Sequence, residues 1–398
     1  MVFLWFFVRI YKIKALMPGN VKQLKPPFLL LSNHVGFWDP FITGYFLPGF
    51  THFVASDAVL RSPLMRIVLN ALGVIPKKKN MRDTRVIRQI IAEKNKGNSI
   101  GIFPEAVRNW IGESFPIDFS IVKLIRLLQI PVVVSVMKGM NLFNPRWSPT
   151  LRKSGVVIQY NLLFTPEDIA GLSDTEMHEK LTQALYHNDT EYQKQHMQPI
   201  LSEKRAEYIN TALYVCPHCK GIDTIRVAKN NLWCFSCQYK LFIDTHGFFN
   251  LLKGTQLYFD NSNSWYYWQE SYLWKHVQNL LILKSSEAIF TDTGLKVYAA
   301  TGNNHLKYIG TANASLYPDK IEITFEQTQK TLIMDFYLLQ TINPQVHERL
   351  EIYYNHTAYR LVSIRKGMSA LKWEVAVNAI WSYYGEKHKC SSYIYYKR

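Results

Sequence analysis

The stretch Asn33–Pro40 reads Asn-His-Val-Gly-Phe-Trp-Asp-Pro and decides how the N-terminal half of the chain is interpreted. It directly follows Phe28–Leu31, a short apolar run that is typical of a buried strand. Asp39 and Pro40 predict a helix start, with the aspartate at the N-cap and the proline in the first turn. His34 would then lie in the turn between strand and helix, where a nearby carboxylate could orient its ring as a general base. A histidine and an aspartate at this spacing also occur by chance, so the rest of the chain must decide.

Residues 22–165 alternate short apolar runs with helical patterns, which predicts an α/β domain with a mixed or parallel sheet and flanking helices. The candidate strands are Phe28–Leu31, His52–Ala55, Val74–Ile75, Ser99–Phe103, Pro131–Val136 and Val156–Tyr160. The candidate helices are Pro40–Phe46, Val59–Leu72, Arg82–Lys94 and Asp118–Leu128. Functional residues in such folds cluster where strands end and loops begin, which is where we expect His34.

Positive charge is concentrated in the same half of the chain. The 398 residues carry a net charge of +16. Residues 1–165 hold 22 lysines and arginines against 7 acidic residues, whereas the remainder holds 24 against 23. Such a positive field suits nucleic acid, an anionic membrane surface or a phosphorylated substrate. The asymmetry alone does not choose among these partners.

A second group of polar residues, Phe103–Asn109, reads Phe-Pro-Glu-Ala-Val-Arg-Asn and comes at the end of a candidate strand. Arg108 could grip a phosphate with its bidentate fork, and Glu105 could orient that arginine or bind a substrate hydroxyl. Alternatively, the two residues form a surface ion pair. Lys77–Lys79 follow another candidate strand, and they either add positive potential to the same site or form a solvated basic turn.

The stretches described above, in this order along the chain and with these gaps between them, resemble conserved motifs, here called blocks, of the glycerolipid acyltransferase family typified by 1-acyl-glycerol-3-phosphate acyltransferase. The resemblance covers about residues 20–165. The family's first motif has the form Asn-His-x-Ser-x-x-Asp. Asn33, His34 and Asp39 match it, and Gly36 stands in place of the serine.

The third motif of the family is Phe-Pro-Glu-Gly-Thr-Arg-Ser. Phe103–Glu105 and Arg108 match it, whereas Ala106, Val107 and Asn109 depart from it. The departures fall in the loop that helps the family to bind glycerol phosphate. The resemblance therefore implies acyl transfer more strongly than it implies the acceptor, and a different lysophospholipid or an aminolipid stays open.

Two further blocks add to the resemblance. The second block of the family usually ends in an arginine that contacts the acceptor phosphate, and here Lys77–Lys79 stand nearby. The fourth block matches Ile130–Val133, which is also a proline-opened buried strand.

The resemblance implies an O-acyltransferase that moves an acyl group from acyl-CoA or acyl-carrier protein to the hydroxyl of a lysophospholipid such as 1-acyl-glycerol-3-phosphate. His34 would take the hydroxyl proton as general base, and Asp39 would hold its ring. The residues implied in substrate binding are Lys77, Lys78, Lys79, Glu105 and Arg108. We expect no nucleic-acid partner. The alternative is a non-catalytic lipid- or nucleic-acid-binding protein built on a degenerate acyltransferase domain.

Four of the five cysteines form two Cys-x-x-Cys pairs that are separated by fourteen residues. They are Cys216, Cys219, Cys234 and Cys237. This spacing predicts a zinc ribbon in which four thiolates hold a structural zinc ion. A closed site of four thiolates leaves no open coordination position, so we expect no catalytic metal. Thiolate ligands also favour a reducing compartment.

The N-terminal segment Val2–Met17 starts with seven apolar or aromatic residues, after which Arg9, Lys12 and Lys14 enter. No basic region precedes the apolar run, which argues against a secretory signal. The pattern predicts an interfacial membrane helix over residues 1–20, with aromatics in lipid and cations toward the head groups. We therefore expect a peripheral or monotopic protein on the cytoplasmic face of an anionic membrane. The alternative is a first helix that packs on the domain.

The whole chain is predicted to have four parts. After the helix of residues 1–20, residues 21–200 form the α/β acyltransferase domain. Residues 201–245 form a connector and the zinc ribbon, and residues 246–398 form a β-rich domain with a C-terminal helix. A run of strands closed by one helix over Ser369–Tyr384 is similar in element order to a pleckstrin-homology domain.

Overall fold

The computed structural model of the chain describes residues 2–56, 67, 69, 71–77, 84–301, 305–345 and 348–395. The chain divides into two compact units. Unit 1 comprises Met1–Arg146 and Leu151–Ile200, and unit 2 comprises Trp147–Thr150 and Leu201–Arg398. The finer division into four parts stays a prediction.

Unit 1 is built on a seven-stranded mixed sheet. Its strands are β1 (Ile13–Leu16), β2 (Leu29–Ser32), β3 (Thr51–Ser56), β4 (Ile75–Lys77), β5 (Ser99–Ile102), β6 (Val132–Lys138) and β7 (Val156–Phe164). Their order across the sheet is β1-β7-β6-β2-β5-β3-β4. β6 and β7 pair antiparallel, whereas the other neighbours pair in parallel. The predicted α/β fold class is confirmed.

The helices of unit 1 flank this sheet. They are α1 (Val2–Ile10), α2 (Gly19–Lys22), α3 (Asp39–Tyr45), α4 (Thr84–Asn95), α5 (Ser120–Leu128), α6 (Met140–Phe143), α7 (Pro166–Gly171), α8 (Asp174–Leu185) and α9 (Asp189–His196). The helix predicted over Val59–Leu72 falls mostly outside the described residues.

β2 lies in the middle of the sheet, and all four of its residues are buried. Leu29 and Leu31 pack into one hydrophobic core, together with residues of α5 and α8. Phe28 and Leu30 pack into a second core, together with residues of α1 and α3. Because alternate residues of a strand point to opposite faces, β2 joins the two cores. The loop that carries His34 therefore leaves a strand that is buried on both faces.

The N-terminal helix is shorter than the predicted interfacial helix over residues 1–20. α1 ends at Ile10, and Lys12 takes a φ of 54°. Residues 13–16 form β1 instead, which pairs in parallel with β7 and buries Ile13. Pairing at the sheet edge satisfies the backbone groups of these residues, which explains why the helix does not continue. No helix of the described residues is both long enough and apolar enough to cross a membrane.

Unit 2 contains a four-stranded antiparallel sheet and a seven-stranded antiparallel sheet. The small sheet consists of β8 (Ile225–Ala228), β9 (Asn231–Cys234), β10 (Lys240–Ile243) and β11 (Phe249–Lys253). The large sheet consists of β12 (Phe290–Thr301), β13 (Lys307–Leu316), β14 (Lys320–Phe325), β15 (Thr331–Asp335), β16 (Leu339–Gln345), β17 (Arg349–Tyr354) and β18 (Thr357–Ser363). The predicted β-rich C-terminal region is therefore confirmed.

Three α-helices complete the described part of unit 2, and one of them corrects the prediction. They are α10 (Ser262–Ile282), α11 (Leu371–Tyr383) and α12 (Ser392–Tyr395). The sequence predicted α11 but not α10, which lies in a region interpreted as strand-like. Trp265 and Tyr266 of α10 are buried, whereas Trp268 and Tyr272 are partly exposed. Aromatic residues on several sides of the helix leave no single apolar stripe from which its period could be recognised.

A buried ion cluster joins the ribbon segment to the large sheet within unit 2. The ammonium of Lys372, on α11, donates to Asp223 and, at 2.7 Å, to Asp292 of β12. Asp292 also accepts the indole N–H of Trp373 at 2.7 Å. Because Lys372 and Asp292 are almost fully buried, removal of either charge would leave the other uncompensated. The ribbon and the β-rich part are thus coupled through charge as well as through the backbone.

The turn after β5 contains an unusual backbone conformation. Ala106 donates its N–H to the carbonyl of Phe103 at 3.0 Å and has a φ of 61°. This left-handed region costs an L-residue other than glycine about 1–2 kcal/mol. The family that the sequence resembles has glycine at this position, so the departure occurs where glycine is the least strained residue.

We predict that Ala106→Gly stabilises the protein by about 0.5–1 kcal/mol, since relief of strain exceeds the added freedom of the unfolded chain. Ala106 is exposed, so the substitution removes little packing. Thermal unfolding of the full chain measures the effect. Ala170→Gly, at an exposed position of α7, is the matched control and should destabilise by about 1 kcal/mol. Equal destabilisation by both substitutions would show that the backbone of Ala106 is not strained.

Candidate active site

The loop between β2 and α3 brings His34 against a buried carboxylate. The Nδ1 atom of His34 lies 2.7 Å from Oδ2 of Asp39. The same Oδ2 accepts the backbone N–H of Val35 at 2.6 Å and that of Gly36 at 2.9 Å. Because a carboxylate only accepts, Nδ1 carries the proton and Nε2 carries the lone pair. Nε2 has no hydrogen-bond partner among the described residues, so it is available to a substrate.

α3 begins one residue earlier than predicted. Asp39 is its first residue, and Trp38 occupies the N-cap position. The carboxylate of Asp39 nevertheless binds backbone N–H groups of the preceding loop, where the positive end of the helix also favours a negative charge. The predicted proximity of the histidine and the aspartate is therefore present in the structure.

Gly36 occupies the place at which the family motif has serine, and the surroundings account for the glycine. A Cβ atom on Gly36 would lie 3.1 Å from Oδ1 of Asn144 and 3.3 Å from Cε of Met140. It would also lie 3.2 Å from Oδ1 of Asp39. A side chain here would press on α6 and on the carboxylate that holds His34.

Glu105 links the two motifs. One carboxyl oxygen accepts the backbone N–H of His34 at 2.9 Å, and the other accepts that of Phe115 at 2.9 Å. Burial of this side chain raises its pKa to about 8, although both backbone hydrogen bonds oppose the shift. Glu105 therefore positions the loop that carries His34. Its predicted contact with a substrate stays a prediction.

Asn109 reinforces the same link from the other end of the second motif. Its backbone N–H and its side-chain amide both donate to the carbonyl of His34, at 2.9 and 3.1 Å. Its side-chain oxygen accepts the N–H of Gly112 at 2.8 Å. The backbone of His34 is thus held at both its N–H and its carbonyl.

The imidazole of His34 is packed against an aromatic ring. It stacks on Phe103 at a centroid distance of 4.1 Å, and 20% of the His34 side chain is exposed. Burial lowers the pKa of His34 below its usual value, and Asp39 opposes this shift. The charges of Arg108 and Arg146 lower the pKa further. All of these contributions except that of Asp39 favour the neutral ring, which is the form that accepts a proton.

The structure brings Arg108 to this site and adds an arginine that the sequence did not predict. The Nη1 atom of Arg146 donates to the carbonyl of Arg108 at 2.5 Å, and its guanidinium lies 3.9 Å from the ring centroid of Trp110. Burial, and next the charge of Arg146, lower the pKa of Arg108 to about 10. Arg146 follows α6 by three residues and has no motif that could have predicted its role.

The predicted basic turn is described only in part. Lys77 is exposed at the end of β4, on the same sheet edge as the end of β2. β4 is three strands away from β2, which corresponds to about 14 Å at the usual strand spacing. Lys78 and Lys79 lie outside the described residues, so their place near the site stays a prediction.

The four cysteines of the ribbon come together in unit 2. The sulfur atoms of Cys216, Cys219, Cys234 and Cys237 all lie within 4.8 Å of one another. Sγ of Cys216 is 3.6 Å from that of Cys237, and the other two sulfurs are also 3.6 Å apart. A tetrahedral ion with bonds of about 2.3 Å needs sulfurs about 3.8 Å apart. The cluster is therefore suited to hold one structural metal ion.

Known proteins resemble part of the chain, and the segment that a family model matches includes His34. Residues 12–138 match the sequence model of the Acyltransferase family. The 1-acyl-sn-glycerol-3-phosphate acyltransferase of Borreliella burgdorferi is 33% identical over 106 residues, which are 26% of this chain and 42% of that protein. The chain thus spans less than half the length of this curated relative.

Two solved structures are each similar to part of the chain. One is the 1-acyl-sn-glycerophosphate (LPA) acyltransferase PlsC from Thermotoga maritima, with a TM-score of 0.39, 15% identity, and coverage of 47% of this chain and 76% of that chain. The other is the Vps36 N-terminal PH domain, with a TM-score of 0.21, 18% identity, and coverage of 25% and 82%. The family match over residues 12–138 and the curated relative confirm the resemblance to the acyltransferase family that the motifs predicted.

Proposed function

We propose that this protein transfers an acyl group from a thioester to the hydroxyl of a lysophospholipid such as 1-acyl-glycerol-3-phosphate. The observation that carries the proposal is the His34–Asp39 pair, with Nε2 of His34 left without a partner among the described residues. The pair lies within the segment that matches the Acyltransferase family. The name of the curated relative supports this choice of reaction and acceptor.

The first chemical step is attack of the acceptor hydroxyl on the thioester carbonyl carbon. The new oxygen–carbon bond forms while the hydroxyl proton moves to Nε2 of His34. Nδ1 keeps its proton and its hydrogen bond to Asp39, so the imidazolium that forms lies directly beside a negative charge. The buried carboxylate thus stabilises the charge that develops on the ring.

The second step is collapse of the tetrahedral intermediate. The carbon–sulfur bond breaks, and the departing thiolate takes the proton from His34, which returns the ring to its neutral form. No serine or cysteine nucleophile is required, because the thioester is already activated. The cysteine cluster of unit 2 accordingly has no part in this chemistry. The thioester is acyl-CoA or the acyl-carrier protein conjugate.

We predict that His34→Ala lowers kcat by about 10²–10⁴-fold, which is the usual contribution of a positioned general base. The assay supplies labelled acyl-CoA or acyl-carrier protein with a panel of lysolipids and measures product formation. His178→Ala is a suitable control, because this partly buried histidine lies on α8 away from the His34 loop. Transfer at an undiminished rate in His34→Ala would exclude His34 as the base.

We also propose that the metal held by the four cysteines is zinc and that it stabilises unit 2. Zinc favours a tetrahedral set of four thiolates, and such a closed set is typical of structural sites. The ligands enter from the turn before β8, from the end of β9 and from the turn before β10. The ion would link these three segments. This link matters because β8 and β9 are only four residues long and pair through few hydrogen bonds.

We predict one zinc ion per chain in the reduced protein, measured by mass spectrometry of the metal. Cys216→Ser should lose zinc and increase hydrogen exchange of the amides in β8–β10, because the ion contributes to folding. Cys390→Ser is the control, since Cys390 lies outside the cluster, and should retain zinc. A reduced, folded protein without metal would contradict the proposal.

We further propose that the protein works at the cytoplasmic face of a membrane, as a peripheral or monotopic protein. Phe3 and Phe6 of α1 are 66% and 52% exposed, and Trp5 and Ile10 are exposed as well. Exposed aromatics on a helix, in a half of the chain with excess positive charge, suit the interface of an anionic bilayer.

We predict that the double substitution Phe3→Ser and Phe6→Ser weakens binding to anionic vesicles by about tenfold or more, since a buried phenylalanine contributes about 1.5–3 kcal/mol. Co-sedimentation with vesicles measures the binding, and vesicles of zwitterionic lipid should bind less. Tyr337→Ser replaces an aromatic residue that is 82% exposed in unit 2 and should bind like the unchanged protein. Equal binding by all three proteins would refute the proposal.

A further inference from the structure

The ring of His34 belongs to a stack of three aromatic rings. Its neighbour is Phe103, whose ring centroid lies 4.1 Å away and whose plane is inclined by 19°. Phe103 in turn stacks on Phe53, at a centroid distance of 5.6 Å and an inclination of 18°. Because the planes are nearly parallel, the imidazole lies against the face of the Phe103 ring. Its Nδ1 edge binds Asp39, so Phe103 and Asp39 contact different sides of one ring.

The central sheet sets up this stack. β2 and β5 are parallel neighbours, so the residues that follow them leave the sheet side by side. Phe103 is the first residue after β5, and His34 is the second after β2. On the far side of Phe103, the ring of Phe53 lies over Gly101, where a Cβ atom would come within 2.4 Å of that ring. The glycine therefore makes room for the ring on which Phe103 rests.

The His34 ring changes its charge during the proposed reaction, and only an interaction that strengthens in the transition state accelerates a step. Apolar packing on Phe103 is nearly the same for the neutral and the protonated imidazole, so it adds nothing to the rate. The negative face of an aromatic ring, however, attracts a cation that lies within about 6 Å of its centroid. The imidazole satisfies this condition. Phe103 is thus placed to favour the protonated ring over the neutral one.

We propose that Phe103 stabilises the imidazolium of His34 through a cation–π interaction while the acceptor hydroxyl loses its proton. Phe103 acts on the face of the ring, and Asp39 acts on its Nδ1 edge, so both stabilise the same developing charge. Such an interaction is stronger where water is excluded, and only 20% of the His34 side chain is exposed. The inference rests on the proposed acyl transfer and adds Phe103 as a second residue that acts through His34.

The test replaces Phe103 by phenylalanine that carries one, two or three fluorine atoms on its ring. Each fluorine withdraws electron density from the face and weakens its attraction for a cation, whereas shape and burial change little. With labelled acyl-CoA and 1-acyl-glycerol-3-phosphate, kcat should fall stepwise, by about 2- to 30-fold for the trifluorinated ring. Phe164 is buried in the other core of unit 1, and its fluorination should leave kcat unchanged.

Titration of the His34 ring supplies a measurement that does not depend on transfer. Fluorination of Phe103 should lower the pKa of His34 stepwise, as measured by NMR on the full chain, because the protonated ring loses part of its stabilisation. The acidic limb of kcat/KM should move to lower pH in parallel. Phe103→Leu removes the aromatic face and should change the pKa in the same direction, whereas Phe103→Tyr keeps the face and should stay close to the unchanged protein.

The outcomes separate the inference from the proposed function. Transfer that depends on His34 but stays constant along the fluorinated series, with an unmoved titration, would assign Phe103 a packing role and overturn the inference alone. Equal losses on fluorination of Phe103 and of Phe164 would overturn it as well. A stepwise fall in the pKa of His34, without transfer to any lysolipid, would overturn the proposed function and leave the interaction between the two rings. Thermal unfolding shows which variants fold, and the fluorinated series decides if Phe103→Leu does not.

Discussion

The carboxylate of Asp39 is the constraint on which the site depends. It is fully buried, and a buried negative charge is tolerated only where donors surround it. Its donors are the ring of His34 and the N–H groups of Val35 and Gly36. The same charge therefore folds the loop and fixes the tautomer of the ring, so that local stability and chemistry cannot be separated by mutation of Asp39.

The elements that the sequence predicted well are those whose local pattern and tertiary environment agree. β2, β5 and β6 are buried apolar runs, and the structure places each within two residues of its predicted ends. α10 was missed because burial on several sides removes the periodicity that identifies a surface helix. β1 was missed because its pairing with β7 joins residues more than 140 positions apart, which no local pattern records.

The site follows the same distinction. His34, Asp39 and Arg108 could be predicted, because each belongs to a short motif that directly follows a strand of the sheet, β2 or β5. Arg146 could not, since it reaches the site through tertiary contacts with the Arg108 carbonyl and with Trp110. The sequence also could not show which groups bind the carboxyl of Glu105. In the structure its two oxygens accept the backbone N–H groups of His34 and Phe115, so this side chain positions the backbone.

The surroundings of His34 act in opposite directions on the two forms of its ring. Burial, and to a smaller extent the charges of Arg108 and Arg146, lower the pKa of His34 and so favour the neutral ring. Asp39 opposes them, because it accepts the Nδ1–H at 2.7 Å and its negative charge favours the protonated ring. Burial therefore keeps the ring ready to accept a proton at Nε2, and Asp39 stabilises the imidazolium that results, which are the two requirements of a general base.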